Sequence, residues 1–338
     1  MSSAIEVEGL TKIYGQGQRG VTPVLAVDHI DFEVRSGEIF GFLGPNGAGK
    51  TTTHRMLTTL LEPTEGCIRI NGYDISRYSY RAKRQMGLVP EESNVYTALT
   101  AWDNLIFAAR LYLVARDERR QRARELLEMF GLWEMRDVKV DNYSRGMRRR
   151  LSIAMGIIHR PTLLFLDEPT PGLDVQSARA IRNLIREMNA DGTTIFLTTH
   201  QIEEANQLCD RVAIIDHGRI AAIDTPEGLK RAFQQVQSVE VALEPDGQAH
   251  GQALSALPDV TKSVKMGDKW RLYTRNPSAL VPMLVHYAEE HGLHVVSLNT
   301  LGPSLEDAFL QITGGEIGAV QPGVREDGPR RRRKKRNR

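Results

Sequence analysis

Eight consecutive residues of this 338-residue chain have the types and spacing that bind a phosphate. The segment GPNGAGKT, from Gly44 to Thr51, fits the pattern G-x-x-x-x-G-K-[ST]. Its glycines allow backbone N–H groups to surround an anion, and a following helix would direct its positive N-terminal end at the same anion. Lys50 is then placed to reach the outer phosphates of a nucleotide, and the Thr51 hydroxyl can ligate Mg²⁺.

A second candidate is the pair of carboxylates that ends the apolar run LLFLDEP, from Leu163 to Pro169. In a phosphoryl-transfer site, Asp167 can hold Mg²⁺ through water and Glu168 can orient an attacking water. Taken alone, the pair is equally typical of a solvated strand end. Its combination with the phosphate loop favours the catalytic interpretation.

A third candidate is the segment YSRGMRRR, from Tyr143 to Arg150, which is a polar turn that opens a helix. Ser144 and Gly146 would form a helix N-terminus suited to an anion. An ordinary N-cap serine explains the same pattern, and the residues by themselves do not decide between the two.

The elements that must position these residues alternate between apolar strands and amphipathic helices. A helix is predicted after the phosphate loop, from about Gly49 to Leu61, and residues 100–160 are mostly helical in pattern. This alternation predicts a mainly parallel sheet with helices on both faces. Its predicted strands are the apolar runs Ile39–Gly44, Leu163–Asp167, Thr193–His200 and Arg211–Asp216.

A composition shift after residue 230 marks a second domain. From Ser238 to Thr300 the patterns predict the order β-α-β-β-α-β, which is the ferredoxin-like split motif. The predicted organisation is an ATP-binding domain at 4–233 with a helical subdomain at about 92–160, a small α+β domain at 236–314, and a disordered basic tail at 315–338.

Composition excludes several classes of protein. Apolar residues make up 41% and charged residues 25%, as in soluble globular proteins. No apolar run is long enough for a membrane-spanning helix, and the N-terminus has no secretion signal. The two cysteines, Cys67 and Cys209, lack the spacing of a zinc site or a disulfide framework.

The net charge of +2 depends on the last nine residues, RRRRKKRNR, which hold eight of the 44 basic side chains. Without them the chain has 36 basic and 42 acidic residues, so no specific nucleic-acid partner is expected of the folded body. The tail is predicted to be solvated. It is either a functionless end or a segment attracted to anionic lipid.

From Ile5 to Phe233 the chain resembles the ATP-binding subunit of an ABC transporter, of the daunorubicin-resistance-like multidrug-export type. GPNGAGKT resembles the Walker A loop, YSRGM the signature, and LLFLDE Walker B with its catalytic glutamate. The segment from Gly172 to Asp174 resembles the D-loop, and His200 the switch histidine. Tyr14 matches the aromatic residue that stacks on adenine.

The resemblance implies a P-loop ABC ATPase fold with a mainly parallel core sheet, an antiparallel β subdomain and a helical subdomain. It also implies a set of residue roles. Glu168, His200 and Lys50 would be catalytic, and Thr51, Asp167 and Glu91 would bind Mg²⁺. The residues expected at ATP are Tyr14, Gly44, Pro45, Asn46, Gly47, Ala48, Gly49, Lys50, Thr51, Thr52, Ser144, Arg145, Gly146 and Asp174. The implied partners are a second copy of the chain, arranged head to tail, and integral-membrane permease subunits. The implied location is peripheral, on the cytoplasmic side of the cell membrane.

Three positions depart from the family pattern, and one of them, Pro171, leads to no functional expectation. Glu91 stands where relatives usually have a glutamine that senses the γ-phosphate, and it is either such a sensor or a solvated loop acid. Arg145 replaces the first of the two glycines in the signature, and its positive charge would still attract an anion.

The alternative to transport is a soluble mechanochemical ABC ATPase that acts on ribosomes or DNA. The ribosome-associated class usually carries two ATPase domains and the DNA-repair class a long coiled coil, and this chain shows neither pattern. Transport is therefore the predicted function, with export as the implied direction. The cargo stays open among drugs, lipids, glycan precursors and ions.

Overall fold

The computed structural model describes residues 2–17, 20, 22–232, 237–245, 250–302 and 304–314. The predicted basic tail, 315–338, lies outside the described residues. The described chain forms two compact units. The larger unit extends to Gln237 and also includes Leu301–Thr313, and the smaller unit is Ser238–Thr300.

The described strands and helices are numbered along the chain. The strands are β1 (Ser3–Tyr14), β2 (Val24–Arg35), β3 (Ile39–Leu43), β4 (Glu65–Ile70), β5 (Tyr73–Asp74), β6 (Met86–Val89), β7 (Leu163–Asp167), β8 (Thr194–Thr199), β9 (Arg211–Asp216), β10 (Arg219–Asp224), β11 (Gln237–Glu244), β12 (Val260–Met266), β13 (Lys269–Thr274) and β14 (His294–Leu301). The helices are α1 (Lys50–Leu57), α2 (Ser79–Gln85), α3 (Ala101–Leu111), α4 (Arg119–Met129), α5 (Arg145–Ile157), α6 (Val175–Ala190), α7 (Ile202–Leu208), α8 (Pro226–Ala232), α9 (Gly251–Ser255), α10 (Pro277–Glu290) and α11 (Leu305–Ile312).

A six-stranded sheet in the order β10-β9-β3-β8-β7-β6 forms the centre of the larger unit. Its pairs are parallel except β9–β10. Every residue of β3, β7 and β8 is buried, as expected of parallel strands covered on both faces. The carboxyl ends of these three strands therefore lie side by side at one edge, where open α/β sheets bind ligands.

An antiparallel sheet in the order β2-β1-β4-β5 and a helical region from α3 to α5 complete the larger unit. The two sheets share a core of stacked and tilted aromatic rings, with centroid distances of 5.5–6.3 Å. These rings belong to Phe32, Phe40, Phe42, Phe165 and Phe196. The predicted fold class, with parallel, antiparallel and helical parts, is confirmed.

The helix after the phosphate loop is shorter than predicted, because it ends at Leu57 rather than Leu61. The Thr58 hydroxyl donates to the backbone oxygen of His54 at 2.8 Å, and Thr59 adopts a left-handed backbone with φ 61°. A residue in that conformation cannot continue a right-handed helix.

The smaller unit has a four-stranded sheet in the order β12-β13-β11-β14. Helices α9 and α10 supply Leu254, Leu280 and Leu284 to a core with Val239 and Val241 of β11. The chain then returns to the larger unit. Helix α11, which the sequence grouped with the C-terminal domain, contributes Leu305 to the same core cluster as Leu229 of α8.

Among the described residues, no helix combines the length and apolar character needed to span a lipid bilayer.

Candidate nucleotide-binding and catalytic site

The phosphate loop connects the buried strand β3 to the N-terminus of α1. Two of its glycines are required by close backbone approaches. A Cβ on Gly44 would lie 2.4 Å from the carbonyl oxygen of Ile215, and one on Gly49 would lie 2.7 Å from that of Ala26. Gly49 also has φ 107°, which side-chain-bearing residues rarely adopt. The loop can therefore adopt this backbone only with glycine at these two positions.

Lys50 is 7% exposed, and its ammonium group is already seated in the loop. Its Nζ donates to the carbonyl oxygens of Gly44 at 2.7 Å and Pro45 at 3.1 Å. Burial lowers the pKa of Lys50, while the negative charges of Glu168 and Asp167 oppose that shift. A phosphate oxygen would thus meet a partly desolvated, pre-positioned cation.

A cavity of about 300 Å³ opens over this loop and brings five separate segments together. The segments come from β2, the phosphate loop, the turn after β6, and the ends of β7 and β8. Its lining residues are Ala26, Asn46, Gly47, Gly49, Lys50, Thr51, Thr52, Glu91, Glu168 and His200.

Asp167 and Glu168 end β7 with different surroundings. Asp167 is buried and accepts a hydrogen bond from the hydroxyl of Thr198, its direct neighbour in the β7–β8 pairing. The Nδ1 of His200 lies 2.9 Å from the Oε1 of Glu168. Glu168 Oε2 is buried without a hydrogen-bond partner among the described residues, so only one of the two carboxylate oxygens is held by another side chain.

Glu168 also has an unusual backbone, with φ 46°. Its N–H donates to the carbonyl oxygen of Thr198 at 3.1 Å. A non-glycine residue in this region stores strain, which persists only where the surroundings enforce it. The carboxylate is therefore aimed into the cavity by contacts on its backbone as well as on its side chain.

Tyr14 at the end of β1 and Glu91 in the turn after β6 both lie near the phosphate loop. The Tyr14 hydroxyl lies 3.4 Å from the Thr52 hydroxyl, and its ring is 39% exposed. The Nζ of Lys12 lies 5.6 Å from the centre of the same ring. Glu91 is exposed in the turn after β6 and lines the cavity beside Lys50.

The remaining predicted residues do not line this cavity. Ser144 caps α5 by accepting from the Met147 N–H at 3.2 Å, and Arg145 donates to the Gly172 carbonyl oxygen at 3.0 Å. Asp174 caps α6 by accepting from the N–H and hydroxyl of Ser177 at 2.8 and 2.7 Å. These hydrogen bonds lower the pKa of Asp174.

Gly146 lies against the same D-loop region, because a Cβ there would meet the Ser177 hydroxyl at 2.3 Å. The signature and D-loop segments are thus packed on each other within one chain. Their polar groups make a separate surface from the phosphate loop.

Two residues of the site were missed from the sequence: Thr198, which donates to Asp167, and Ala26, which lines the cavity. Thr198 carries a recognisable signal, because it lies two residues before His200 on a predicted strand, and the structure pairs that strand with β7. Ala26 carries none, since its place depends on how β2 approaches Gly49.

A glycine loop that leads into a helix, two carboxylates after a parallel strand and a histidine after the next strand together define a P-loop nucleoside triphosphatase. Residues 27–171 match the sequence model of the family described as ABC transporter.

Relatives match over nearly their whole length. The linearmycin resistance ATP-binding protein LnrL of Bacillus subtilis (strain 168) is 35% identical over 92% of this chain and 98% of that protein. The daunorubicin/doxorubicin resistance ATP-binding protein DrrA of Streptomyces peucetius is 40% identical over 92% of each chain. The Nod factor export ATP-binding protein I of Ralstonia nicotianae is 37% identical over 93% and 94%.

Comparison with solved structures points to the same family. An ATP-binding subunit of an ABC transporter superposes with a TM-score of 0.60 at 31% identity, over 68% of this chain and 93% of that one. A dimeric ATP-binding cassette in a post-hydrolysis state with ADP and Pi gives 0.59 at 26% identity, over 65% and 98%. The chain belongs to the ABC transporter family and is one of its ATP-binding, ATP-hydrolysing subunits, which confirms the predicted resemblance.

Replacing Lys50 by alanine should weaken ATP binding, because a charge-assisted hydrogen bond to phosphate is lost. Such a bond contributes about 1.5–3 kcal/mol, or roughly a ten- to hundredfold change in Kd. Titration with a fluorescent ATP analogue measures the change. Lys83→Ala on α2, outside this cavity, is the matched control and should bind like the parent. Unchanged affinity of Lys50→Ala would contradict the assignment.

Proposed function

We propose that the chain powers export of a drug or another hydrophobic compound through a separate membrane permease. The observation that carries the proposal is the cavity that joins the phosphate loop, Glu91, Glu168 and His200. The export direction is supported by relatives named for resistance and export, which match through the C-terminal region as well. In this proposal the subunit is peripheral, on the cytoplasmic side of the membrane.

The residues of the cavity fit a nucleotide that is bound together with Mg²⁺. The negative charges of Glu91, Asp167 and Glu168 each favour a higher pKa of Lys50. Three carboxylates therefore stand near a single ammonium group. A polyanionic nucleotide alone would be repelled by this excess of negative charge. Thr51, Asp167 and Glu91 are the proposed ligands, directly or through water, and the bound ion supplies charge neutralisation at the outer phosphates.

In the proposed mechanism, Glu168 positions the attacking water through Oε2, the oxygen without a partner in the described chain. His200 holds the other oxygen, Oε1, and its exposed ring is placed to reach the γ-phosphate. Lys50 stabilises the negative charge that the phosphoryl group carries during transfer. The adenine base stacks on the half-exposed ring of Tyr14.

The proposed active assembly is a head-to-tail dimer. Ser144, Arg145 and Asp174 are exposed, Gly146 is buried beside them, and none of the four lines the cavity at their own phosphate loop. Ser144 and Gly146 begin α5, whose N-terminus attracts anions. We infer that this surface covers the γ-phosphate bound by a second copy, so that ATP closes the interface and hydrolysis reopens it.

Glu168→Gln should bind ATP like the parent but hydrolyse it about 100- to 10,000-fold more slowly, since an amide cannot act as a general base. The ATP-bound dimer should then accumulate, which size-exclusion chromatography with ATP detects. Glu203→Gln, an exposed acid on α7, is the matched control. Parental turnover by Glu168→Gln would show that this carboxylate is not catalytic.

Glu91→Gln should keep kcat for ATP hydrolysis in the range of the parent. The substitution retains an oxygen ligand and removes one negative charge near the phosphates. Steady-state ATPase kinetics measure the effect, with Glu92→Gln as the neighbouring exposed control. If Glu91→Gln lost as much activity as Glu168→Gln, the carboxylate of Glu91 would have an essential role that this proposal does not contain.

The alternative, a soluble mechanochemical ATPase, predicts a different cellular partner. A tagged chain should sediment with nuclease-treated membranes and copurify with an integral-membrane polypeptide after detergent extraction. Sedimentation with ribosomes or DNA, with washed membranes free of the chain, would favour the alternative over transport.

A further inference from the structure

Arg149 of α5 is a buried arginine whose side chain donates only to backbone oxygens in the described chain. It is 5% exposed. Its Nε donates to Pro169 at 3.0 Å, and its Nη2 donates to Asp167 at 2.7 Å and to Glu168 at 2.9 Å. Its Nη1 donates to Pro90 and, at 3.2 Å, to Glu91.

The five acceptors match the five N–H donors of a guanidinium group. This match explains how a charge is accommodated in the interior without a bidentate carboxylate partner, because five carbonyl dipoles replace its hydration. Burial lowers the pKa of Arg149 to about 10, and nearby carboxylates, led by Asp167 and Glu204, oppose the shift. The side chain therefore keeps its charge at neutral pH.

The acceptors belong to the two segments that carry the proposed chemistry. Pro90 and Glu91 form the turn after β6, whereas Asp167 ends β7 and is followed by Glu168 and Pro169. The left-handed backbone of Glu168 is held on both sides, by the Thr198 carbonyl oxygen at its N–H and by Arg149 at its own carbonyl oxygen. Removal of Arg149 would release one of these two restraints.

Arg149 also lies on the helix that begins with the signature. It follows Ser144 by five residues, about one and a half turns of α5. If the N-terminus of this helix meets the nucleotide of a partner subunit in the proposed dimer, a displacement of the helix would reach the backbone of Glu91 and Glu168 through the hydrogen bonds of Arg149.

We propose that Arg149 is a positioning residue that fixes Glu91 and Glu168 relative to each other and couples both to the signature helix. The proposal rests on the function proposed above and assigns no contact between Arg149 and ATP. Its loss should therefore affect turnover rather than nucleotide affinity.

The test is Arg149→Lys, which keeps the positive charge but concentrates its three donors on one nitrogen. We expect kcat to fall about 100-fold, as for a catalytic group displaced by about 1 Å, while KM for ATP stays close to the parental value. The ATP-bound dimer should accumulate as in Glu168→Gln, because the nucleotide and signature contacts remain while hydrolysis is slow.

Arg150→Lys is the matched control. Arg150 lies on the same helix and donates to the carbonyl oxygen of Phe130 at 2.8 Å, away from the cavity. It should keep the parental kcat. Parental turnover by Arg149→Lys, or a loss of turnover shared equally by Arg150→Lys, would overturn the proposal.

A purely structural role of Arg149 predicts a different set of results. It predicts that thermal stability, ATP affinity and dimer formation fall together in Arg149→Lys, and that result would also overturn the proposal. Arg149→Gln provides a second variant if the lysine does not fold, with the same kcat-against-KM readout. Parental ATP turnover and dimer trapping by Glu168→Gln are measured in parallel, so a failure here is distinguishable from a failure of the proposed function.

Discussion

The parallel pairing of β3, β8 and β7 is the constraint on which the rest of the site depends. Its register places Leu43 beside Thr199 and Asp167 beside Thr198, so the three strands end at the same edge. The phosphate loop, the two carboxylates and the histidine follow those ends directly. A slip of one residue between parallel strands would move the carboxylates along the sheet relative to the loop and would turn buried side chains to the opposite face.

Strain at this edge is a second organising feature. Glu168 takes a left-handed backbone that costs free energy, of the order of 1–3 kcal/mol for such sites. Its neighbours over-determine it through Thr198, His200 and Arg149. These contacts restrain the Glu168 carboxylate. Its Oε1 contacts His200, and Oε2 is the oxygen that has no hydrogen-bond partner among the described residues. A stiff carboxylate with one free oxygen suits a group that must orient water before the phosphate transfers.

The sequence was sufficient for the loop, the carboxylates and the parallel sheet, because each is carried by a local pattern of residue types. It was insufficient where position depends on contacts between distant segments. In the sequence, Arg149 is the middle one of three consecutive arginines, and only the contacts of α5 in the folded chain distinguish it from Arg148 and Arg150. The end of α1 was also predicted wrongly. The residue with the left-handed backbone, Thr59, is not a glycine, so the sequence contains no usual signal for the end of a helix there.

The two functional surfaces of the chain are therefore separate in space but not mechanically independent. The cavity is the proposed site of the nucleotide that the chain binds itself, whereas the exposed N-cap Ser144 at the start of α5 lies outside that cavity. Arg149 connects the two surfaces. It belongs to α5, and its side chain donates to the backbone oxygens of Glu91 and Glu168 beside the cavity. In a head-to-tail pair, each helix would meet the nucleotide of the other copy. Interface closure would then act on the hydrolytic carboxylate through a single buried guanidinium, without any contact between Arg149 and ATP.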